Sequence, residues 1–163
     1  MRVRRGSRLI LLDEYGQVLL FRIEDATIFR PGEPILGAHW ITPGGGLESG
    51  ENHAAAARRE LWEETGMTGI DVGPWVALSE PVLSWAGELV QVHNRYYLAQ
   101  ITSPTVTLEH MSAAERETVR EHRWWNVEAL RASGERGVPP GLVDLLARIV
   151  AGDVPAQPVR LAY

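Results

Sequence analysis

The chain has 163 residues and a formal charge of −5, which predicts a single domain and argues against a large nucleic-acid-binding surface. It has no cysteine, and all 16 basic residues are arginine, so disulfides, cysteine-ligated metal, a cysteine nucleophile and a Schiff-base lysine are excluded. No apolar run is long enough to cross a membrane, and we expect a cytoplasmic protein.

The first forty or so residues predict strands and loops. Residues 8–13 and 17–23 are apolar runs joined by Asp-Glu-Tyr-Gly, a turn sequence, and this pattern predicts a β-hairpin. A long loop rich in proline and glycine follows over 24–38. A short strand over 39–42 then leads into a glycine loop over 43–46.

The next segment carries the signals of a helix with both ends marked. Asn52 is a suitable N-cap, helix formers continue to about Thr65, and Gly66 is a suitable stop. Ala57 and Leu61 lie on one face of this helix, so that face should pack against a sheet.

The second half of the chain predicts more strands and two further helices. The expected elements are strands over 70–78, 89–101 and 122–125, a loop or short helix over 103–120, and helices over 127–133 and 140–150. Strands on both sides of a helix indicate an α+β fold, which we assign to one domain over 1–151. Two prolines in residues 152–163 predict a loose C-terminal tail.

Three glutamates of the predicted helix form an acidic patch. Glu60, Glu63 and Glu64 have i, i+3 and i+4 spacing and therefore share one side of the helix. At a separation of ~4 Å, two such charges repel by about 4 kcal/mol as an upper estimate. A divalent cation removes that cost, and oxygen ligands favour Mg²⁺, Mn²⁺ or Ca²⁺. The alternative is a solvated acidic face paired with neighbouring arginines.

The glycine loop and the helix together resemble the signature of the Nudix hydrolase family, G-x5-E-x7-R-E-U-x-E-E-x-G-U, where U is a bulky apolar residue. Every fixed position is filled at the right spacing, by Gly45, Glu51, Arg59, Glu60, Leu61, Glu63, Glu64, Gly66 and Met67. The resemblance is carried by residues 45–67 and implies the family's α/β/α sandwich with a mixed β-sheet.

The resemblance implies roles for individual residues. Glu60, Glu63 and Glu64 correspond to the family's metal-binding carboxylates, often helped by the carbonyl of Gly44. Arg59 corresponds to the arginine that orients one of these glutamates, and Glu63, Glu64 and Arg59 are the expected catalytic residues of the motif. The expected cofactor is Mg²⁺ or Mn²⁺.

The implied reaction is metal-dependent hydrolysis of the pyrophosphate linkage in a nucleoside diphosphate joined to another moiety. Nucleotide sugars, ADP-ribose-like compounds and (d)NTPs all fit this description. The expected partner is therefore a small-molecule nucleotide diphosphate, without a membrane or a large nucleic-acid surface, and a homodimer is common in the family. The alternative is a non-catalytic Nudix module that senses a nucleotide, which the complete set of glutamates argues against.

The general base in such enzymes is a glutamate of the motif or of a distal loop. The distal candidates are Glu115, Glu117 and Glu121. We favour Glu121, because it lies just before the predicted strand that contains Trp124 and Trp125. The alternative for Glu121 is a solvated loop residue.

Three further residues are candidates for substrate binding. Arg22 and Arg95 could contact phosphate oxygens, although each is also consistent with a plain surface arginine. Trp40 lies just before the glycine loop, where its ring could stack on a substrate base. The alternative for Trp40 is a place in the core.

Overall fold

The computed structural model describes residues 1–102 and 104–163 and contains a mixed β-sheet with helices on both faces. The strands are β1 (Arg2–Leu12), β2 (Val18–Ile23), β3 (Ile28–Phe29), β4 (His39–Ile41), β5 (Gly44–Gly46), β6 (Trp75–Ser79), β7 (Val82–Trp85), β8 (Glu88–Gln100), β9 (Val119–Trp125) and β10 (Val159–Arg160). The helices are α1 (His53–Thr65), α2 (Ala113–Thr118), α3 (Val127–Ser133) and α4 (Leu142–Val150). The predicted α+β fold is confirmed.

Strand β1 lies inside the sheet and pairs along both of its edges. It runs parallel to β8 from Arg2 opposite Val90 to Leu12 opposite Gln100. Its other edge pairs antiparallel with β5 and, at Leu12, with β2. The strand therefore begins well before residue 8, where the apolar pattern starts, because backbone pairing with β8 is available to polar residues as well.

Alternation along β1 separates the two larger apolar clusters of the core. Leu9 faces α1 and belongs to a cluster with Leu61. Ile10 faces the opposite side and belongs to a cluster with Leu130 of α3 and Leu146 of α4. Because successive side chains of a strand point to opposite faces, both sides of the sheet are covered, as in an α/β/α sandwich.

The predicted hairpin is confirmed. Leu12 pairs with Val18 across the turn that joins β1 and β2. Asp13 Oδ1 accepts hydrogen bonds from the amides of Tyr15 and Gln17 at 2.9 and 2.8 Å. A short acidic side chain that satisfies the backbone in this way favours a turn.

The predicted helix is also confirmed, with both of its caps. Asn52 accepts from the amide of Ala55 at 2.8 Å, which satisfies one of the free donors at the start of α1. Gly66 has a left-handed conformation with φ of 75°, and its amide donates to the carbonyl of Trp62. Glycine adopts this conformation without steric cost, so the helix ends there.

Several predicted bounds were wrong. The strand expected over 70–78 is confined to Trp75–Ser79. Ile70 and Val72 pack against the apolar cluster that faces α1, but their backbone does not pair with another strand. The expected glycine loop is strand β5, which pairs with β1. The helix expected over 140–150 begins at Leu142, with Gly141 at its N-cap.

The C-terminal residues expected to be loose are held against the sheet. Val159 and Arg160 form β10, which runs parallel to β6 at the edge of the sheet. Leu161 is buried in the cluster with α3 and α4. The open edge of β6 and the apolar side chains of this segment together explain why the prediction of a loose tail was wrong.

The segment expected to be a loop or short helix contains α2. Ser103, its first residue, lies outside the described residues. From 104 onward the chain is irregular until Ser112, whose side chain caps α2 in a capping box with Glu115. Among the residues that are described, no helix has both the length and the apolar character needed to cross a membrane.

Candidate active site

Glu60 and Glu64 project from α1 against strand β5 and are largely buried. The amide of Gly44 donates to Glu64 Oε1 at 2.9 Å. A Cβ placed on Gly45 would lie 2.4 Å from the carboxyl carbon of Glu60, so a larger residue at position 45 would displace this carboxylate. The absence of a side chain at Gly45 is therefore what allows the Glu60 carboxylate to approach the backbone of β5.

Arg59 holds the start of α1, β5 and the acidic patch together. Its Nε and Nη2 donate to the two oxygens of Glu51 at 2.6 and 3.0 Å, and Nη2 also donates to the Gly46 carbonyl at 2.8 Å. Its Nη1 donates to Glu60 Oε1 at 2.9 Å and lies 3.4 Å from Glu63 Oε2. The hydrogen bonds to Glu51 raise the pKa of Arg59 above its usual value, and the guanidinium fixes the orientation of Glu60.

The tertiary fold brings a third carboxylate close to those of Glu60 and Glu64. Glu115 of α2 approaches α1, and one oxygen each of Glu60, Glu64 and Glu115 lies within 4.8 Å of the others. We call these three residues the acidic cluster. An all-oxygen donor set of this kind suits a hard divalent cation such as Mg²⁺ or Mn²⁺. The residues present thus fit a metal site.

Burial sets the electrostatics of these carboxylates. It raises the pKa of Glu64 well above its usual range, and Arg8 opposes the rise only in part. Burial also raises the pKa of Glu60, against the hydrogen bond from Arg59. Buried carboxylates that repel one another are stabilised in their charged form by a cation placed between them.

A cleft of about 1340 Å³, called here the arginine-lined cleft, has five arginines and four acidic residues among its lining, and two of the arginines are Arg4 and Arg8. Arg8 donates to the carbonyls of Thr42 and Gly44 at 3.0 and 3.2 Å. The guanidinium of Arg4 lies 4.2 Å from the centre of the Trp85 ring. Both arginines line the cleft, and the positive charge of Arg4 acts on Glu60, so they lie between the cleft and the acidic cluster.

Neither arginine stood out in the sequence as a site residue. Arg4 and Arg8 are four residues apart on one strand, with Gly6 between them, so all three share one face of β1. That spacing is the signal that points to them, but it requires knowing that the strand begins at Arg2. The apolar pattern alone does not show this.

A family model described as NUDIX domain matches residues 2–148. The chain belongs to the Nudix family. The α/β/α architecture and the filled motif over 45–67 agree with this assignment.

The RNA pyrophosphohydrolase of Brucella ovis is a relative of this Nudix domain. It is 42% identical over 66 residues, which cover 39% of this chain and 35% of that protein. The match therefore spans about a third of the relative's length. Among solved structures, the MutT protein of Methanosarcina mazei Go1 superposes with a TM-score of 0.66 at 20% identity, over 93% of this chain and 96% of that one.

A second solved structure shares the fold. An ADP-ribose pyrophosphatase from Streptococcus suis 89-1591 has a TM-score of 0.62 at 13% identity, and the match covers 96% of this chain and 98% of that one. At these identities the two structures establish the Nudix fold of this chain.

Glu121 lies away from the acidic cluster of this Nudix domain. Its side chain pairs with Arg22 at 3.7 Å and with Arg123 at 3.4 Å. The ring centre of its neighbour His122 lies 6.2 Å from that of Phe21, and Phe21 belongs to the apolar cluster that faces α1. Alternation along β9 puts Glu121 on the opposite face, which is why it does not join the carboxylates and Glu115 does.

The expected substrate contacts also lie elsewhere. Trp40 is fully buried, edge-on to Trp125 with ring centres 5.2 Å apart, so its ring is not offered to a substrate base and the stacking role was wrong. Arg22 is engaged with Glu121, and Arg95 lies 4.1 Å over the ring of Trp75. Neither of these arginines lines the cleft.

Proposed function

We propose that this Nudix domain hydrolyses the pyrophosphate linkage of a nucleoside diphosphate joined to another moiety, with Mg²⁺ or Mn²⁺ as cofactor. The observation that carries the proposal is the meeting of three carboxylates beside an arginine-lined cleft. Negative charge in the cluster attracts the cation, and the guanidinium groups of Arg4 and Arg8 attract the diphosphate.

Glu60, Glu64 and Glu115 are the residues that would hold the metal. The Gly44 carbonyl, the other ligand that the family motif suggests, accepts a hydrogen bond from Arg8. Glu63 shares Arg59 with Glu60, and it remains a proposed ligand on the strength of the family motif. When bound, the cation screens the charge of the diphosphate, polarises its phosphorus and makes water more acidic.

Phosphate binding, the positioning of Glu60 and proton transfer are assigned to four further or shared side chains of the site. Arg4 and Arg8 would bind phosphate oxygens, because both line the cleft next to the acidic cluster. Arg59 keeps Glu60 in position. We propose two roles for Glu115, in which one carboxylate oxygen would hold the metal and the other would accept a proton from the attacking water, because Glu115 enters the cluster from a separate helix and is partly exposed.

The reaction adds water across one bridge between two phosphorus atoms. The water oxygen forms a new bond to one phosphorus, the bond from that phosphorus to the bridging oxygen breaks, and the leaving phosphate departs with the bridging oxygen. The carboxylate takes up the proton that the attacking water loses. Both products therefore end in a phosphate group, and they can be separated and identified.

The proposal is tested by a screen for product release over nucleotide sugars, ADP-ribose, dinucleoside polyphosphates, (d)NTPs and 5′-triphosphorylated RNA. Each compound is incubated with the full chain in Mg²⁺, in Mn²⁺ and in EDTA, and products are identified by chromatography. We expect metal-dependent cleavage of one class, abolished by EDTA. Tight binding of a nucleotide without turnover of any compound would instead identify a sensing module.

A further inference from the structure

A second cavity, of about 300 Å³, lies beside His53, the first residue of α1. We call it the basic cavity, because its lining contains three arginines and two histidines. These residues are Arg5, Arg95, Arg160, His53 and His93. It borders the arginine-lined cleft at Asn94, but Arg4 and Arg8 line only the cleft.

Strand pairing places these basic side chains on the α1 face of the sheet. In the pairing of β1 with β8, Arg5 is opposite His93 and Ser7 is opposite Arg95. Residues directly opposite one another share a face. Ser7 Oγ donates to the carbonyl of His53 at 2.8 Å, which identifies this face as the one that carries α1.

Two further strands extend the same row. Leu78 of β6 pairs with Arg95, and Arg160 of β10 pairs with Leu78. Arg160 therefore joins the cavity only because the C-terminal residues add a strand to the sheet. The neighbouring Glu80 forms an ion pair with Arg160 at 3.4 Å.

Two of the arginines are left without a counter-charge. Glu80 is the one acidic residue among the described residues of the lining, and no described residue gives Arg5 or Arg95 a carboxylate partner. The Trp75 ring, 4.1 Å from the Arg95 guanidinium, holds that group in place without neutralising it.

His53 gives a second and independent sign of a missing partner. Its Nδ1 is buried and has no hydrogen-bond partner within the described part of the chain. Burial lowers the pKa of His53, the charges of Arg95 and Arg5 lower it further, and a hydrogen bond with the Gly6 backbone opposes the shift. Buried polar atoms of folded proteins are nearly always paired, so a ligand or water is expected here.

We propose that the basic cavity is a second anion site, which holds a phosphate group between the guanidinium groups of Arg5 and Arg95. Guanidinium forks match the oxygens of a phosphate, and a phosphate carries enough negative charge to satisfy both arginines at once. The site lies outside the catalytic cluster, and this proposal goes beyond the hydrolytic function.

The test measures binding to the full chain in EDTA, with inorganic phosphate, AMP and adenosine as probes. The readout is the indole N–H resonance of Trp75, assigned by comparison with Trp75→Phe. We expect phosphate and AMP to shift this resonance in a saturable way and adenosine to leave it unchanged. A shift by adenosine equal to that by AMP would overturn the proposal, because the nucleoside rather than the phosphate would be recognised.

Arg5→Gln is the decisive variant, because Arg5 is exposed and its loss leaves the core intact. We expect it to weaken phosphate binding about tenfold or more, and Arg95→Gln to do the same. Arg2→Gln is the matched control, since Arg2 lies on the same strand but pairs with Glu88 outside the cavity.

If Arg2→Gln weakens phosphate binding as much as Arg5→Gln does, the effect comes from the overall positive charge and the proposal is overturned. The absence of any shift of the Trp75 resonance would overturn it as well. Because neither metal nor turnover enters this measurement, its outcome is separate from that of the substrate screen. A folded state that matches the wild type in circular dichroism confirms that each variant is comparable.

Discussion

Glu64 Oε1 accepts a hydrogen bond at 2.9 Å from the amide of Gly44, twenty residues earlier in the chain. This bond joins the Nudix helix α1 to strand β5 at the point where the carboxylates meet. Because the donor is a backbone amide, this buried carboxylate has a hydrogen-bond partner that does not depend on a side chain at position 44.

Glu64→Gln is expected to lower kcat by about a hundredfold or more, because it removes a charged oxygen from the proposed metal site while keeping the shape of the side chain. Steady-state kinetics in saturating Mg²⁺ measures this. Glu14→Gln, at an exposed glutamate in the hairpin turn, is the control. Turnover of Glu64→Gln close to that of the wild type would contradict the assignment.

The metal-free chain is expected to lose stability as the pH rises. Burial raises the pKa values of Glu64 and Glu60 above the ordinary 4.5, so the folded state holds their protons more tightly than the unfolded state does. The free energy of unfolding therefore falls from about pH 4.5 upward, through the raised pKa values. Glu51, whose pKa Arg59 lowers, acts in the other direction and at lower pH.

Urea unfolding in EDTA, repeated across this pH range, checks that prediction. Glu64→Gln should flatten the profile and be more stable than the wild type at neutral pH without metal, since glutamine carries no charge to bury. Mg²⁺ should restore the wild type by binding its folded state. A wild-type profile that rises with pH in EDTA would show that Glu64 is not buried as described.

Gly45→Ala is expected to disturb the site more than the fold. The added Cβ would lie 2.4 Å from the Glu60 carboxyl carbon, and this flexible side chain can move where the backbone cannot. Metal affinity should fall by about ten- to a hundredfold, with little change in Tm. The control is Gly37→Ala, where a Cβ meets nothing within 4 Å. Unchanged metal affinity in Gly45→Ala would argue against Glu60 as a ligand.

Glu115 and Glu121 give opposite expectations for the general base. Glu115→Gln should lower kcat by about 10²–10⁴-fold, because its carboxylate belongs to the cluster. Glu121→Gln should cost much less, since that carboxylate pairs with Arg22 and Arg123 on the other face of the sheet. Parallel pH–rate profiles of the two variants measure the difference. A larger loss of kcat in Glu121→Gln than in Glu115→Gln would support Glu121, the residue favoured from the sequence, as the general base.

Arg4→Gln should raise KM about tenfold with a smaller effect on kcat, because Arg4 lines the cleft and would contact phosphate oxygens. Arg2→Gln again serves as the control on the same strand. If both variants raise KM equally, the effect is a general attraction of the anionic substrate, and strong salt dependence would accompany it.

The sequence alone determined the features that depend on near neighbours. The spacing of Glu60, Glu63 and Glu64, the caps Asn52 and Gly66, and the hairpin turn at Asp13 could all be predicted. One turn of a helix, a helix cap and a hairpin turn each involve residues within about four positions of one another. A short stretch of sequence therefore contains all the residues whose interactions determine them.

Only the tertiary structure decided which distant residues join the site. Glu115 reaches Glu60 from another helix, Arg4 lies over Trp85, and Trp40 is buried against Trp125. These contacts depend on strand order and on which face of a strand a side chain occupies. A shift of one residue in register would reverse that face, and local patterns do not fix the register between distant strands.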